Sequence, residues 1–229
     1  MNFNRIRMAL YSIFLTNIYG LKLKKAASGV EKKRLRLQYA QKLLSALQID
    51  VVVKNNEILP KEGSFLLIVN HRSIIDPLII EAALKDTNIF GLWISKKELY
   101  NSFFFGVFTR NGGSILLDRE SQQMSTFFKE IKSSVSDGHS IFLFPEGTRN
   151  KRESDLSEFK DGARVIAMKN RLPILPIYIR TNANDVLESA LKNRPHQQQI
   201  TVEIGELIDY KERSVELEEA YRNIFDLKL

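Results

Sequence analysis

His71 and Asp76 stand five residues apart in Asn70-His71-Arg72-Ser73-Ile74-Ile75-Asp76, directly after the apolar run at 65–69. A histidine held by a carboxylate keeps one tautomer and one free ring nitrogen, so the pair could serve as a general base. On one helix, residues five apart differ by about 500° at 100° per residue and face different ways. The two side chains can meet only if His71 lies on a turn and Asp76 at the mouth of the helix that follows. Pro77 suits a first helical turn and aspartate is a good N-cap, so Asp76 is expected to cap a helix through 78–84. Taken alone, the stretch also fits a solvated turn histidine beside an ordinary cap.

A second polar cluster repeats the pattern. The apolar run at 140–144 stops at Pro145-Glu146-Gly147-Thr148-Arg149. Gly147 permits a close backbone approach or a positive φ. Arg149 presents a planar fork of donors suited to phosphate. Lys151 and Arg152 fit solvated loop charges. A third cluster holds Lys96, Lys97 and Glu98, then Phe103, Phe104, Phe105 and Phe108, then Gly112, Gly113, Asp118 and Arg119. The aromatic residues fit a core-facing helix, with an acyl-chain slot as the alternative.

The elements that must hold these clusters follow from periodicity. Strands are expected at 49–53, 65–69, 89–95, 114–117, 140–144, 174–179 and 200–204. Helices are expected at 76–84, 97–109, 121–136, 159–169, 184–192 and 215–225. Strands separated by helices give an α/β fold with a mostly parallel central sheet flanked by helices. In such folds, polar residues at strand ends form the ligand site.

Charge divides the chain. Residues 1–54 hold 11 of the 34 Lys/Arg and 2 of the 27 Asp/Glu, a net +9, whereas the remainder is −2. Residues 8–21 are mostly apolar, too short to span a bilayer comfortably, and flanked by Arg5, Arg7, Lys22, Lys24 and Lys25. Residues 31–48 repeat Leu35, Tyr39, Leu43 and Leu47 every four positions, with Lys32, Lys33, Arg34, Arg36 and Lys42 as a basic surface. Residues 1–48 therefore read as a two-helix segment that lies on an anionic membrane surface, and 49–229 as the α/β domain. A core helix, an export signal and a sheet-packed second helix are the alternatives. No recognised motif accompanies the isoelectric point of about 9.5, so nucleic acid is not an expected partner. The chain has no cysteine, which excludes disulfides, thiolate metal sites and a cysteine nucleophile. The three histidines lack metal-ligand spacing.

Together the clusters resemble the glycerolipid acyltransferase family, typified by 1-acylglycerol-3-phosphate acyltransferases. Residues 70–76 match its NHxSxxD block. Lys97-Glu98-Leu99, Gly106, Gly113 and Asp118-Arg119 resemble the second block, Phe144–Arg149 matches the third, and Leu172–Ile177 resembles the fourth. Phe103 stands where many members have proline, which is expected to alter the local helix start. The resemblance implies acyl transfer from a thioester, carried by coenzyme A or acyl carrier protein, to a lysophospholipid hydroxyl, with no cofactor. The expected acceptor is 1-acylglycerol 3-phosphate and the product phosphatidic acid. Glycerol 3-phosphate, another lysophospholipid or a lyso-aminolipid is the alternative acceptor, and a non-catalytic membrane-surface protein the more distant one. In this reading His71 is the base and Asp76 its orienting partner. Arg149 grips the acceptor phosphate, with Thr148, Lys97 and Arg119 as further substrate contacts. Glu146 orients Arg149 or its loop, and backbone N–H groups near Ser73 or Gly147 meet the oxyanion.

Overall fold

The computed structural model describes residues 3–118, 124–192 and 196–228. Two helices, α1 (Phe3–Lys25) and α2 (Gly29–Ala46), precede strand β1 (Ile49–Lys54). Then come β2 (Leu66–Val69), α3 (Asp76–Ala83), β3 (Gly91–Lys96), α4 (Lys97–Tyr100), α5 (Gly106–Asn111) and β4 (Ser114–Leu117). The chain continues through α6 (Met124–Ser136), β5 (Ser140–Leu143), α7 (Gly162–Asn170), β6 (Ile174–Ile179), α8 (Ala183–Lys192), β7 (Gln198–Ile204) and α9 (Leu217–Ile224).

The strands form one seven-stranded sheet in the order β1-β7-β6-β2-β5-β3-β4. All neighbours are parallel except β6 and β7, which run antiparallel. Every residue of β2, β5 and β6 is buried, as central strands covered on both faces must be. Alternate residues feed two cores. Leu67, Val69, Leu175 and Ile177 meet Ile79 and Ile80 of α3 and Leu187 of α8 on one face. Leu66, Ile68, Ile141 and Leu143 meet Ile131 of α6, Ile166 of α7 and Tyr221 of α9 on the other. Because β2, β5 and β3 are parallel, their carboxyl ends open on one edge of the sheet, where the three polar clusters follow.

Both N-terminal helices pack onto this body. α1 buries Leu15, Tyr19 and Leu23 against Leu35, Tyr39 and Leu43 of α2. Gly20 lets α1 approach α5 closely, since a Cβ there would lie 2.9 Å from the Phe108 backbone nitrogen. α2 starts at Ser28, whose hydroxyl accepts the Glu31 N–H, while the Glu31 carboxylate accepts the Ala27 N–H. The expected basic surface of α2 needs correction. Arg36 is buried and paired with Glu81 of α3, and its Nη1 donates to the Gly91 (2.7 Å) and Gly112 (3.1 Å) carbonyls. Lys33 is half-buried and donates to the carbonyls of Leu84 and Ile89, and burial lowers its pKa. These two cations fasten the helix to the sheet.

Three further expectations change. The helix expected at 97–109 is two short helices, α4 and α5, parted by a turn. Ser102 accounts for the break: its hydroxyl accepts the Phe105 N–H and its carbonyl the Gly106 N–H, so the chain restarts at Gly106. The turn leaves Phe103 88% and Phe104 47% exposed, not in the core. The helix expected from 159 begins at Gly162, because the N–H groups of Phe159 and Lys160 go to the Glu218 carboxylate and the Pro145 carbonyl. Ile75, not Asp76, holds the cap position of α3, and Asp76 is the first helical residue, followed by Pro77.

Candidate active site

The turn after β2 is fixed from below. Asn70 is buried, and its amide exchanges two hydrogen bonds with the backbone of Ile179 at the end of β6 (3.1 and 2.8 Å). The Asn70 N–H donates to the Tyr221 hydroxyl, which donates to the Ile177 carbonyl. This seat sets the direction in which the chain leaves the sheet, and His71 is the next residue.

Asp76 turns its carboxylate back over the same turn. Its Oδ2 accepts the N–H groups of Arg72 and Ser73, each at 2.7 Å, and lies 2.8 Å from His71 Nδ1. The Oδ1 atom is buried without a hydrogen-bond partner among the described residues. Two fixed backbone donors hold the acceptor in place, so the proton of the imidazole belongs on Nδ1 and the lone pair on Nε2. The His71 side chain is 18% exposed, which leaves the ring open to a substrate. Its flat face stacks on Phe144, with centroids 3.9 Å apart and planes 12° apart. Phe144 stacks in turn on Trp93 of β3 (5.1 Å), whose Nε1 donates to Glu81 at 3.2 Å.

The loop after β5 closes onto this turn. Glu146, 2% exposed, accepts the His71 N–H at 2.6 Å and the Ser157 N–H at 2.8 Å. Burial raises its pKa, and the two backbone donors oppose that rise. The Asn150 N–H donates to the His71 carbonyl at 2.6 Å. Glu146 therefore ties its loop to His71 and to Ser157, and makes no hydrogen bond to Arg149. Gly147 adopts φ 68°, the positive value anticipated at this position.

The remaining expected residues separate into groups. Ser73 is fully buried and its N–H serves Asp76, while the Gly147 N–H serves the Phe144 carbonyl at 3.0 Å. The N–H groups of Ser73 and Gly147 themselves are thus engaged inside the protein. Thr148 and Arg149 are exposed. Arg149 lines a cavity of about 320 Å³ with Arg72, Asn182, Asp185 and the exposed loop residues Lys151 and Arg152. Arg72 is steadied there by a 2.6 Å hydrogen bond to the Ser154 carbonyl. Lys97 opens α4 directly after β3, which lies two strands from β2, and donates to Asp118 at 2.9 Å. Arg119 lies outside the described residues.

A model of the Acyltransferase family matches residues 50–180, more than half of the chain and all of the elements just described from β1 to the end of β6. The chain belongs to the acyltransferase family. It is 37% identical over 127 residues to a 1-acyl-sn-glycerol-3-phosphate acyltransferase of Helicobacter pylori, covering 53% of this chain and 52% of that one. Over 137 residues it is 28% identical to the Bacillus subtilis protein of the same name, covering 60% and 66%. The match thus spans about half to two thirds of these relatives' length. A crystal structure of the 1-acyl-sn-glycerophosphate acyltransferase of Thermotoga maritima superimposes with a TM-score of 0.68 at 22% identity, covering 97% of this chain and 92% of that one. That likeness shows the α/β fold, including its N-terminal helices. Within this acyltransferase-family chain, sequence reasoning overlooked Phe144 and Asn150 as supports of His71. Both lie beside Pro145–Arg149, and the sequence presents Phe144 as the end of a strand and the first residue of the third block, with no sign of its contact with His71.

Proposed function

We propose that this chain transfers a fatty acyl group from a thioester to the hydroxyl of a lysophospholipid, with 1-acylglycerol 3-phosphate as acceptor and phosphatidic acid as product. The observation that carries the reading is the His71–Asp76 pair, joined through backbone hydrogen bonds to the loop that bears Arg149. His71 Nε2 takes the hydroxyl proton as the acceptor oxygen attacks the thioester carbonyl carbon. The tetrahedral oxyanion then collapses, the carbon–sulfur bond breaks, and the imidazolium returns its proton to the departing thiolate. General-base assistance of this kind contributes about 10²–10⁴-fold in rate. Asp76 holds the tautomer and stabilises the imidazolium. Arg149 grips the acceptor phosphate, with Thr148 and Arg72 beside it. The thioester, coenzyme A or acyl carrier protein, is a co-substrate.

The same reading places the protein on the cytoplasmic face of a membrane as a peripheral or monotopic protein. Among the described residues no helix is long and apolar enough to cross a bilayer. α1 nevertheless exposes Phe3, Ile6, Leu10, Phe14 and Leu21, which share an arc of about 80° on the helix opposite its packed face. Exposed Arg7, Lys24 and Lys25 border that stripe and suit anionic headgroups. Residues 1–48 would hold the membrane while 49–229 carry out transfer.

An acyl-transfer assay on purified protein, crossing several lyso-acceptors with acyl-coenzyme A and acyl carrier protein donors, tests the reaction. Phosphatidic acid should form from 1-acylglycerol 3-phosphate. Arg149→Ala should raise the acceptor KM far more than the donor KM. Equal effects on both substrates would remove Arg149 from the acceptor site, and normal turnover by His71→Ala would end the proposed mechanism.

A further inference from the structure

A second cavity, outside the candidate active site, lies between α1 and the turn that joins α4 to α5. It encloses about 590 Å³, within the range of small-molecule sites. Its walls have two characters. Ile13, Phe103 and Phe104 are apolar, and Asn17, Ser102 and Arg110 are polar. Phe103 and Phe104 stand on its rim as an edge-to-face pair with centroids 5.3 Å apart. They include the most exposed large apolar side chain among the described residues. The rim adjoins the α1 stripe, since Ile13 sits beside Phe14.

The guanidinium of Arg110 is seated by construction. Gly106 lies beneath it, where a Cβ would come within 2.7 Å of Nη1 and 2.9 Å of the Tyr100 carbonyl. Nη1 donates to that carbonyl at 2.6 Å, and the group lies 6.0 Å from the Tyr100 ring. Arginine offers five N–H donors, and among the described residues Arg110 hydrogen-bonds only the Tyr100 carbonyl, so most of the fork faces elsewhere. Ser102 Oγ accepts the Phe105 N–H and Asn17 Nδ2 donates to the Ile13 carbonyl, so Arg110 is the charged group that this aromatic rim offers. A molecule with an anionic head and an apolar tail matches both halves of the lining.

We propose that this cavity binds one anionic glycerophospholipid of the bilayer, its phosphate on Arg110 and its upper acyl chains against Phe103 and Phe104. The site is separate from the Arg149 cavity. It rests on the membrane-surface reading above, which it deepens by adding a headgroup-selective anchor to the non-selective α1 stripe. Phe103, 88% exposed, is what gives the rim its reach.

The test uses the full chain and dihexanoylphosphatidylglycerol below its micelle concentration, with dihexanoylphosphatidylcholine for comparison, followed by calorimetry or native mass spectrometry. Because these probes are monomeric, the result does not depend on whether the protein binds vesicles, so the two readings can fail separately. Saturable one-to-one binding of the glycerol lipid is expected, tighter than that of the choline lipid. Arg110→Gln should weaken it about tenfold, the loss of one charged hydrogen-bonding group. Phe103→Ser, at an exposed position that cannot disturb the core, should weaken both lipids together. Arg149→Ala should leave binding unchanged. Absence of saturable binding, equal affinity for the two lipids, or loss in Arg149→Ala with none in Arg110→Gln would overturn the proposal.

Discussion

The imidazole of His71 lies flat against the phenyl ring of Phe144, 3.9 Å between centroids. Stacking fixes the plane of the ring, and the Nδ1 contact with Asp76 fixes its rotation within that plane. Phe144→Ala removes the first constraint and keeps the second. We expect kcat for acyl transfer to fall by ~10²-fold with little change in either KM, the scale of a misplaced reacting group. Steady-state kinetics of Phe144→Ala beside Phe144→Tyr, which restores the ring, would show it.

Asp76 does two jobs that different substitutions separate. Asp76→Asn retains an oxygen for the backbone donors but removes the charge that holds the tautomer. Turnover is expected to drop by ~10⁴-fold, as for the equivalent change in serine protease triads, with thermal stability largely kept. Asp76→Ala also strands the Arg72 and Ser73 N–H groups, each costing about 1–3 kcal/mol if left unpaired. A clear fall in melting temperature for alanine, but not for asparagine, is the measurable contrast.

Burial raises the Glu146 carboxyl above its ordinary 4.5. Through the window from about 4.5 up to the raised value, the folded state binds more protons than the unfolded state. The favourable contribution is complete below 4.5 and fades as pH rises through the folded pKa. Glu146→Gln has no such titration. Its stability deficit relative to the parent, from denaturant unfolding at a series of pH values, should be largest in acid and narrow towards neutrality.

The apolar stripe of α1 can be tested without deleting the helix, whose other side buries Leu15, Tyr19 and Leu23. Leu10 and Phe14 are each 64% exposed. Leu10→Glu with Phe14→Glu should leave the circular dichroism unchanged and reduce sedimentation with anionic vesicles at least tenfold. Full burial of one such side chain is worth about 1.5–3 kcal/mol.

The sheet was readable because its central strands are uninterrupted apolar runs, each stopped by a polar cluster. Strands 114–117 and 174–179 appear with their expected limits. The His71–Asp76 contact was readable from spacing that only a turn-then-helix path could satisfy. What escaped was decided by tertiary partners. Lys33 and Arg36 have the spacing of a solvated basic face, yet carbonyls on neighbouring elements and Glu81 draw both inward. Phe103 and Phe104 have core composition, yet Ser102 ends the helix that would have buried them. The N–H groups of Ser73 and Gly147 were free on paper and are occupied by Asp76 and Phe144.

The buried Arg36–Glu81 pair bears on how this protein can be cut. Arg36→Ala leaves Glu81 without its counter-charge inside the protein, a change that typically costs about 3–5 kcal/mol and would appear as a large shift in denaturant midpoint. Severing the chain at residue 48 imposes the same loss and also strips the lid from the Gly91 and Gly112 carbonyls. The N-terminal helices and the chemical machinery are therefore not separable by scissors. A fragment beginning at β1 is expected to come out of expression as insoluble material, whatever activity its residues could otherwise support.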